Sequence, residues 1–129
     1  MADVRAQYHS RKDGDHLLVW DVRRLIEKSK HLPVRHVDPN SFTELHENHW
    51  HFNNEQPATP TAILEHMALI EACDLRFPII LASDGRVMDG MHRICKAVKD
   101  GVATIPAVQF TADPEPDYVN PDPKELPYD

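Results

Sequence analysis

Apolar and polar positions alternate with a recognisable period over much of this chain, and the places where the period breaks mark the loops. From His16 the text "HLLVWDVRRLIEKSKHLP" sets Leu18, Val22, Leu25 and Ile26 on one helical stripe, with Arg23, Arg24, Glu27 and Lys28 facing away. The same residues admit a second reading, in which Asp21 is an N-cap, the helix starts at Val22 and "LLVW" is extended. Pro33 ends the helix in either case. "PVRHV" alternates with period two and suits a short strand, which "DPNSF" then breaks. The next stretch, "TELHENHWHFNNEQPATP", has no sustained period and reads as a long loop with one helical turn.

Thr59-Pro60 opens a helix in the expected order, N-cap and then N1 proline, and Ile63, Met67 and Ile70, with Leu64 beside them, are its expected buried face. "FPIILA" is a continuous apolar run, as in a strand covered on both faces. "SDG" is a turn and "RVMD" a second strand, so Pro78 to Asp89 predicts a hairpin. The spacing then predicts a helix from Met91 to Asp100 that buries Met91, Ile94, Cys95 and Val98, with Gly101 at C′. "ATIPAVQF" is the last expected strand. The polar, patternless "MADVRAQYHSRKDGD" at the start reads as a loose arm. The proline-rich stretch from Asp113 reads as an extended tail, free or wrapped along the surface. The organisation expected is an arm over 1–15, a domain over 16–112 and a tail over 113–129. The fold class is α+β, a small mixed sheet with the Gly90–Gly101 helix packed on it and two further helices around.

Composition narrows the function classes. A chain of 129 residues is one domain by length, and one of this size buries about two thirds of its unfolded surface without needing disulfides or metal. Cys73 and Cys95 form no CxxC pair and read as reduced thiols. No apolar run approaches the roughly 20 residues that span a bilayer, so a soluble, cytoplasmic protein without membrane contact is expected. The segment from Asp113 to Asp129 carries six acidic residues against one lysine, so most of the formal charge of −7 lies there and the body is close to neutral. Sequence-independent binding to nucleic acid rests on a basic surface, which this chain does not offer.

The candidate chemistry centres on "RVMDGMHRICKAVKDG", from Arg86 to Gly101. A helix that leaves a strand through a glycine presents unpaired N–H groups and the positive end of its dipole. Arg93 lies in the first turn, Lys96 shares its face, and His92 points to the polar side, a layout suited to phosphate. Asp89 would place a negative charge beside that phosphate, and a Mg²⁺ ion bridging the two would remove the conflict. The competing reading makes Asp89 an N-cap, Gly90 a turn residue, and Arg93 and Lys96 an ordinary solvated face.

The segment "PIILASDGRVMDGMHRICKAVKDGVATIPAVQF", Pro78 to Phe110, resembles the core of the ParB/sulfiredoxin superfamily: strand, turn, strand, a Gly-x-His-Arg helix start, an Ala-containing helix and a "tIPa" strand. "PVRHVDP" resembles that family's earlier strand. In sulfiredoxins the corresponding helix start cradles ATP phosphates, in the free serine kinases a similar Asp-Gly-x-His-Arg does so for ADP, and in ParB proteins a related motif serves CTP. The resemblance implies that Gly90, Met91, His92, Arg93 and Lys96 line a nucleotide-phosphate site, with Asp89 a metal-binding or catalytic carboxylate. Two departures limit it. Met91 stands where sulfiredoxin needs its cysteine, so sulfinic acid reduction is not expected. A chromosome-partitioning ParB carries a helix-turn-helix after this core, where this chain has its acidic tail, so DNA segregation is not expected.

"ELHENHWHFNNE" holds His46, Glu47, His49, His51 and Glu55. Its HxxHxH spacing matches no standard zinc site, and Trp50 suits a packed loop equally well. A functional reading lets this loop close over the helix start and supply a general base or acid, Glu44, Glu47 or His49, to a bound hydroxyl substrate. His66 reads as a packed histidine. These features, with the resemblance, point to a nucleotide-binding protein, and the enzymatic reading they leave open is an ATP- or ADP-dependent phosphotransferase of kinase type, using Mg²⁺ on a small-molecule or protein substrate. The alternatives are a non-catalytic nucleotide- or partner-binding module and, most weakly, a nuclease.

Overall fold

A computed structural model of the chain describes residues 7–47, 49, 58–122 and 126. The elements run β1 (Tyr8–Asp13), β2 (His16–Asp21), α1 (Val22–Ser29), β3 (Arg35–Val37), two 3-10 turns (Pro39–Ser41 and Thr43–His46), α2 (Pro60–Ala72), β4 (Ile79–Leu81), β5 (Val87–Asp89), α3 (Met91–Asp100), β6 (Ile105–Gln109) and β7 (Tyr118–Val119). The class is α+β, with two sheets: β3-β6-β4-β5 and β1-β2-β7.

The four-stranded sheet is built on β4, whose residues Ile79, Ile80 and Leu81 are all buried. Because side chains alternate along a strand, these three divide between two cores. Ile79 and Leu81 face Met91, Ile94 and Ala97 of α3, while Ile80 joins Trp20, Val22 and Leu25 on the α1 side. β4 pairs antiparallel with β5 through the Ser83–Gly85 turn and parallel with β6, where Ile79 lies opposite Ala107. α3 keeps its expected bounds, and Gly101 closes it in the left-handed region. Its buried face is Met91, Ile94 and Ala97, however, with Cys95 half-buried and Val98 exposed.

Asp21 caps α1 by accepting the Arg23 N–H at 3.0 Å, so the helix starts at Val22 and "LLVW" is strand. That strand needs partners, and both chain ends supply them. Residues 8–13, expected in a loose arm, form β1 and pair with β2 from Tyr8–Asp21 to Asp13–His16. The two-residue turn between them uses Gly14 at φ 61, and the "KDGDH" text around it is a hairpin signal. On the other edge, Leu18 and Val19 pair with Val119 and Tyr118 of the acidic segment. That segment is a strap: the Trp20 Nε1–H donates to the Pro114 carbonyl at 2.8 Å, and Asp117 Oδ2 accepts the Asp21 N–H at 2.8 Å.

The expected burial of α2 is the clearest correction. Ile63, Leu64 and Met67 are 47, 64 and 54% exposed, and no residue of this helix is fully buried. The face turned toward α3 is Ala62, His66, Leu69, Ile70 and, at the cap, Cys73, all half-buried. Both stripes have helical spacing, and a helix apolar nearly all round offers no sequence contrast by which to choose between them.

Candidate functional site

β5 runs into α3 through Gly90, whose φ of 120° and ψ of 16° serve as the helix cap. A Cβ added there would lie 2.4 Å from Ile79 Cγ2 and 2.7 Å from its Cβ, so the core beneath demands glycine. Gly90 has no side chain to bond the first-turn N–H groups, and the helix carries no side-chain cap.

Asp89 does not take the capping role. Its backbone pairs with Ile80 in the sheet, and its Oδ2 accepts from Arg93 Nη2 at 2.8 Å, both side chains being about 15% exposed. Arg93 Nη1 also donates to the Phe77 and Pro78 carbonyls at 2.9 and 2.7 Å. Arg93 is therefore a half-buried tie between α3 and the start of β4 and not a solvated cation, and it cancels the charge of Asp89 at the helix start. Lys96 turns away from that start: its Nζ donates to the Glu71 and Cys73 carbonyls at 2.8 and 3.2 Å, closing the C-terminal end of α2. The Met91 side chain is buried in the core. His92 Nε2 lies 2.8 Å from His66 Nδ1.

The acidic residues of the loop gather elsewhere. In the 3-10 turn Thr43–His46 and the residue after it, Glu44 and Glu47 are three apart and so share a face. Glu44 is buried and accepts the Val87 N–H at 2.6 Å, and Glu47 pairs with Arg86 at 2.8 Å, which clamps this turn to the edge strand β5. The Arg86 hydrogen bond holds the Glu47 carboxyl below its ordinary range. Half-buried His49 belongs to the same cluster, and burial lowers its pKa. His46 is exposed at the end of the turn. Beside the cluster, Arg35, Thr43, Glu44, Asp84 and Arg86 line an open recess of about 270 Å³.

Glu47 is thus tied to Arg86, at the far end of β5 from α3, and the Arg86 backbone lies about 10 Å along the strand from that of Asp89. The structure joins Asp89 to Arg93 beside Gly90, sets His92 against His66, and ties Glu47 to Arg86. His51, Trp50 and Glu55 lie outside the described residues. Among the described residues, no three His, Cys, Asp or Glu side chains converge as a metal site.

Sequence reasoning missed His9 and Arg11, which reach this cluster from β1. Arg11 lies 3.5 Å from Asp84 and 3.7 Å from Asp113, and His9 packs against Trp20. Burial, with Arg11 next in weight, lowers the His9 pKa to about 4. The folded protein therefore resists a proton that the unfolded chain accepts near pH 6.5. Stability is full above that value and falls as pH drops toward 4, by about 3 kcal/mol over the window. Urea unfolding between pH 7 and 4.5 should show this loss, and His9→Gln should remove most of it; an equal loss in the variant would assign it to other groups.

No family model matches the chain, no curated protein matches it, and no solved structure matches it. No helix among the described residues is long and apolar enough to cross a membrane.

Proposed function

We propose that this chain binds a nucleotide and seats its phosphates on the first turn of α3. The observation that carries this reading is the helix start itself: a glycine cap with no side-chain bond, beside an aspartate whose charge Arg93 neutralises. Uncapped N–H groups at the positive end of a helix favour phosphate oxygens. The likeness of "DGMHR" to the ParB/sulfiredoxin helix start supports the same assignment, and a fold of that superfamily is part of the proposal. Mg²⁺ fits as a companion of the nucleotide, since among the described residues Asp89 is the one carboxylate at the seat and the ion is commonly held by one or two carboxylates plus phosphates.

Binding is better supported than transfer, because Glu47 is already paired with Arg86 and Asp89 with Arg93. Phosphotransfer to a small hydroxyl substrate is the second reading, and what favours it is Asp89, a carboxylate placed where phosphate and metal would meet. Calorimetry and thermal unfolding with ATP, ADP, CTP and GTP, each with and without Mg²⁺, test both. A ligand at 100 times its Kd stabilises by about 2.7 kcal/mol. Arg93→Ala leaves the Asp89 charge beside the phosphates and is expected to weaken binding at least tenfold. The double variant Asp89→Asn/Arg93→Ala should recover part of that loss. A folded protein that none of the four nucleotides stabilises would overturn the proposal, and nucleotide turnover that Asp89→Asn abolishes would favour the second reading.

A further inference from the structure

We infer that His66 and His92 form a proton-sharing clasp that makes the docking of α2 on α3 depend on pH, holding it near neutrality and releasing it in mild acid. His66 Nδ1 and His92 Nε2 are 2.8 Å apart, the ring planes differ by 21°, and the ring centroids are 5.1 Å apart. That centroid separation is close to the nitrogen gap plus two ring radii. The two nitrogens therefore point at each other and the rings lie nearly in one plane. Such a pair holds one proton between its rings, one nitrogen donating and the other accepting. A first added proton goes to an outer nitrogen, and the bond persists as a charge-assisted one. A second places N–H groups on both facing nitrogens and two positive charges at contact, and the bond is lost.

The clasp matters because, among the described residues, α2 is only lightly held. The helix has no buried residue, and His66 lies in the middle of its docking face. Among the described residues, its other polar ties include Lys96 on the Glu71 and Cys73 carbonyls and the exposed Lys99–Glu71 pair, of a kind that contributes little. Among the described residues, the remaining charged groups around the joint are paired or exposed. Asp89 is with Arg93, Asp100 with Lys99 and Asp74 with Arg76; Asp38, on the turn packed against α3, accepts the Asn40 N–H, and Glu65 is exposed. The Cys73 thiol donates to the Leu69 carbonyl, and burial pushes the Cys95 thiol up, further from any change in acid. Of the side-chain types present, only imidazole ordinarily titrates between pH 5 and 7.

Docked α2 thus binds one proton fewer than released α2, and its docking equilibrium should fall by up to about tenfold per pH unit below roughly 6.5. Hydrogen exchange of the full chain at pH 7.5 and 5.0, corrected for intrinsic rates, reads this without any ligand. Protection of α2 amides, taken relative to β4 and β6, should drop at least tenfold in the wild type. Taking that ratio cancels global effects, including that of His9. In His66→Gln the amide still bonds His92 without titrating, so the relative protection should not change with pH; His92→Gln should behave alike. The inference is overturned if wild-type α2 follows β4 and β6 across the range, or if the drop persists in both variants.

Discussion

Removing residues 113–129 is expected to leave a chain that is largely unfolded at 37 °C. The segment looks like a solvated acidic tail in sequence, yet its carboxylates are structural acceptors. Asp113 Oδ1 takes the Ser83 N–H at 2.7 Å, and Asp117, 7% exposed at its side chain, takes the Asp21 N–H at 2.8 Å and pairs with Arg24 at 3.1 Å. Backbone bonds add to these, from Asp117 N to the Val19 carbonyl and from Asn120 N to the Leu17 carbonyl, and Asn120 Oδ1 accepts the Leu17 N–H. Each such bond contributes about 1 kcal/mol net, and the Trp20 indole N–H, buried and deprived of the Pro114 carbonyl, adds a desolvation cost of about 1–3 kcal/mol. The sum is of the order of the whole stability of a domain, about 5–15 kcal/mol. In a Trp50→Phe background, Trp20 emission should shift to the red on truncation and the urea midpoint should collapse. Point variants separate docking from charge. Asp117→Ala should cost about 3 kcal/mol by stranding a buried N–H, whereas Glu115→Gln, on an exposed residue, should change stability by under about 0.5 kcal/mol. Equal effects from the two would mean that the segment acts through charge alone.

What could be read from sequence was what is local in the chain. The bounds of α3, the Thr59 cap of α2, the Asp21 cap and the β4–β5 hairpin depend on residues within a few positions of one another. Their chemistry is the chemistry of caps and turns. The strap was not readable, because Trp20 meets Pro114 across 94 positions and no local rule distinguishes a docked proline-rich segment from a free one. The face of α2 was not readable either, since docking is set by His66, Lys96 and Lys99, two of them on another helix. At the candidate site the local rule gave a definite answer that tertiary structure overrode. Asp before Gly at a helix start reads as an N-cap, yet the Asp89 carboxylate goes to Arg93, which is itself aimed by the carbonyls of Phe77 and Pro78. The cluster of Glu44, Glu47, His49 and Arg86 was half legible: the acidic loop stood out, but the bonds from Glu44 to Val87 and from Glu47 to Arg86 span about 40 positions.

Gly90→Ala is the single substitution expected to do most damage, and the reason bears on how the helix start is to be understood. Two penalties combine. A φ of 120° lies outside the conformations that L side chains adopt readily, at a cost of order 1–3 kcal/mol. The new Cβ would also stand 2.4 Å from Ile79 Cγ2 and 3.2 Å from its Cα, and Ile79 is fully buried in the central strand with no room to retreat. Overpacking of this kind costs about 1–3 kcal/mol, so the total is about 4 kcal/mol, or roughly 2 M in the urea midpoint. Gly14→Ala is the matched control: its φ is 61° and nothing lies within 4 Å of the added Cβ, so only the conformational cost of about 1 kcal/mol should appear. If the two variants lose the same stability, backbone conformation alone explains both and the contact with Ile79 is unimportant. If Gly90→Ala loses far more, the glycine is fixed by the core beneath it. Its presence in "DGMHR" is then no evidence for a ligand, and the case for a phosphate seat rests on the uncapped first turn and the Asp89–Arg93 pair, which nucleotide binding tests independently of stability. Ile79→Val in the Gly90→Ala background should restore little, because valine lacks only the Cδ1 methyl and keeps both the γ carbon at 2.4 Å and the Cβ at 2.7 Å.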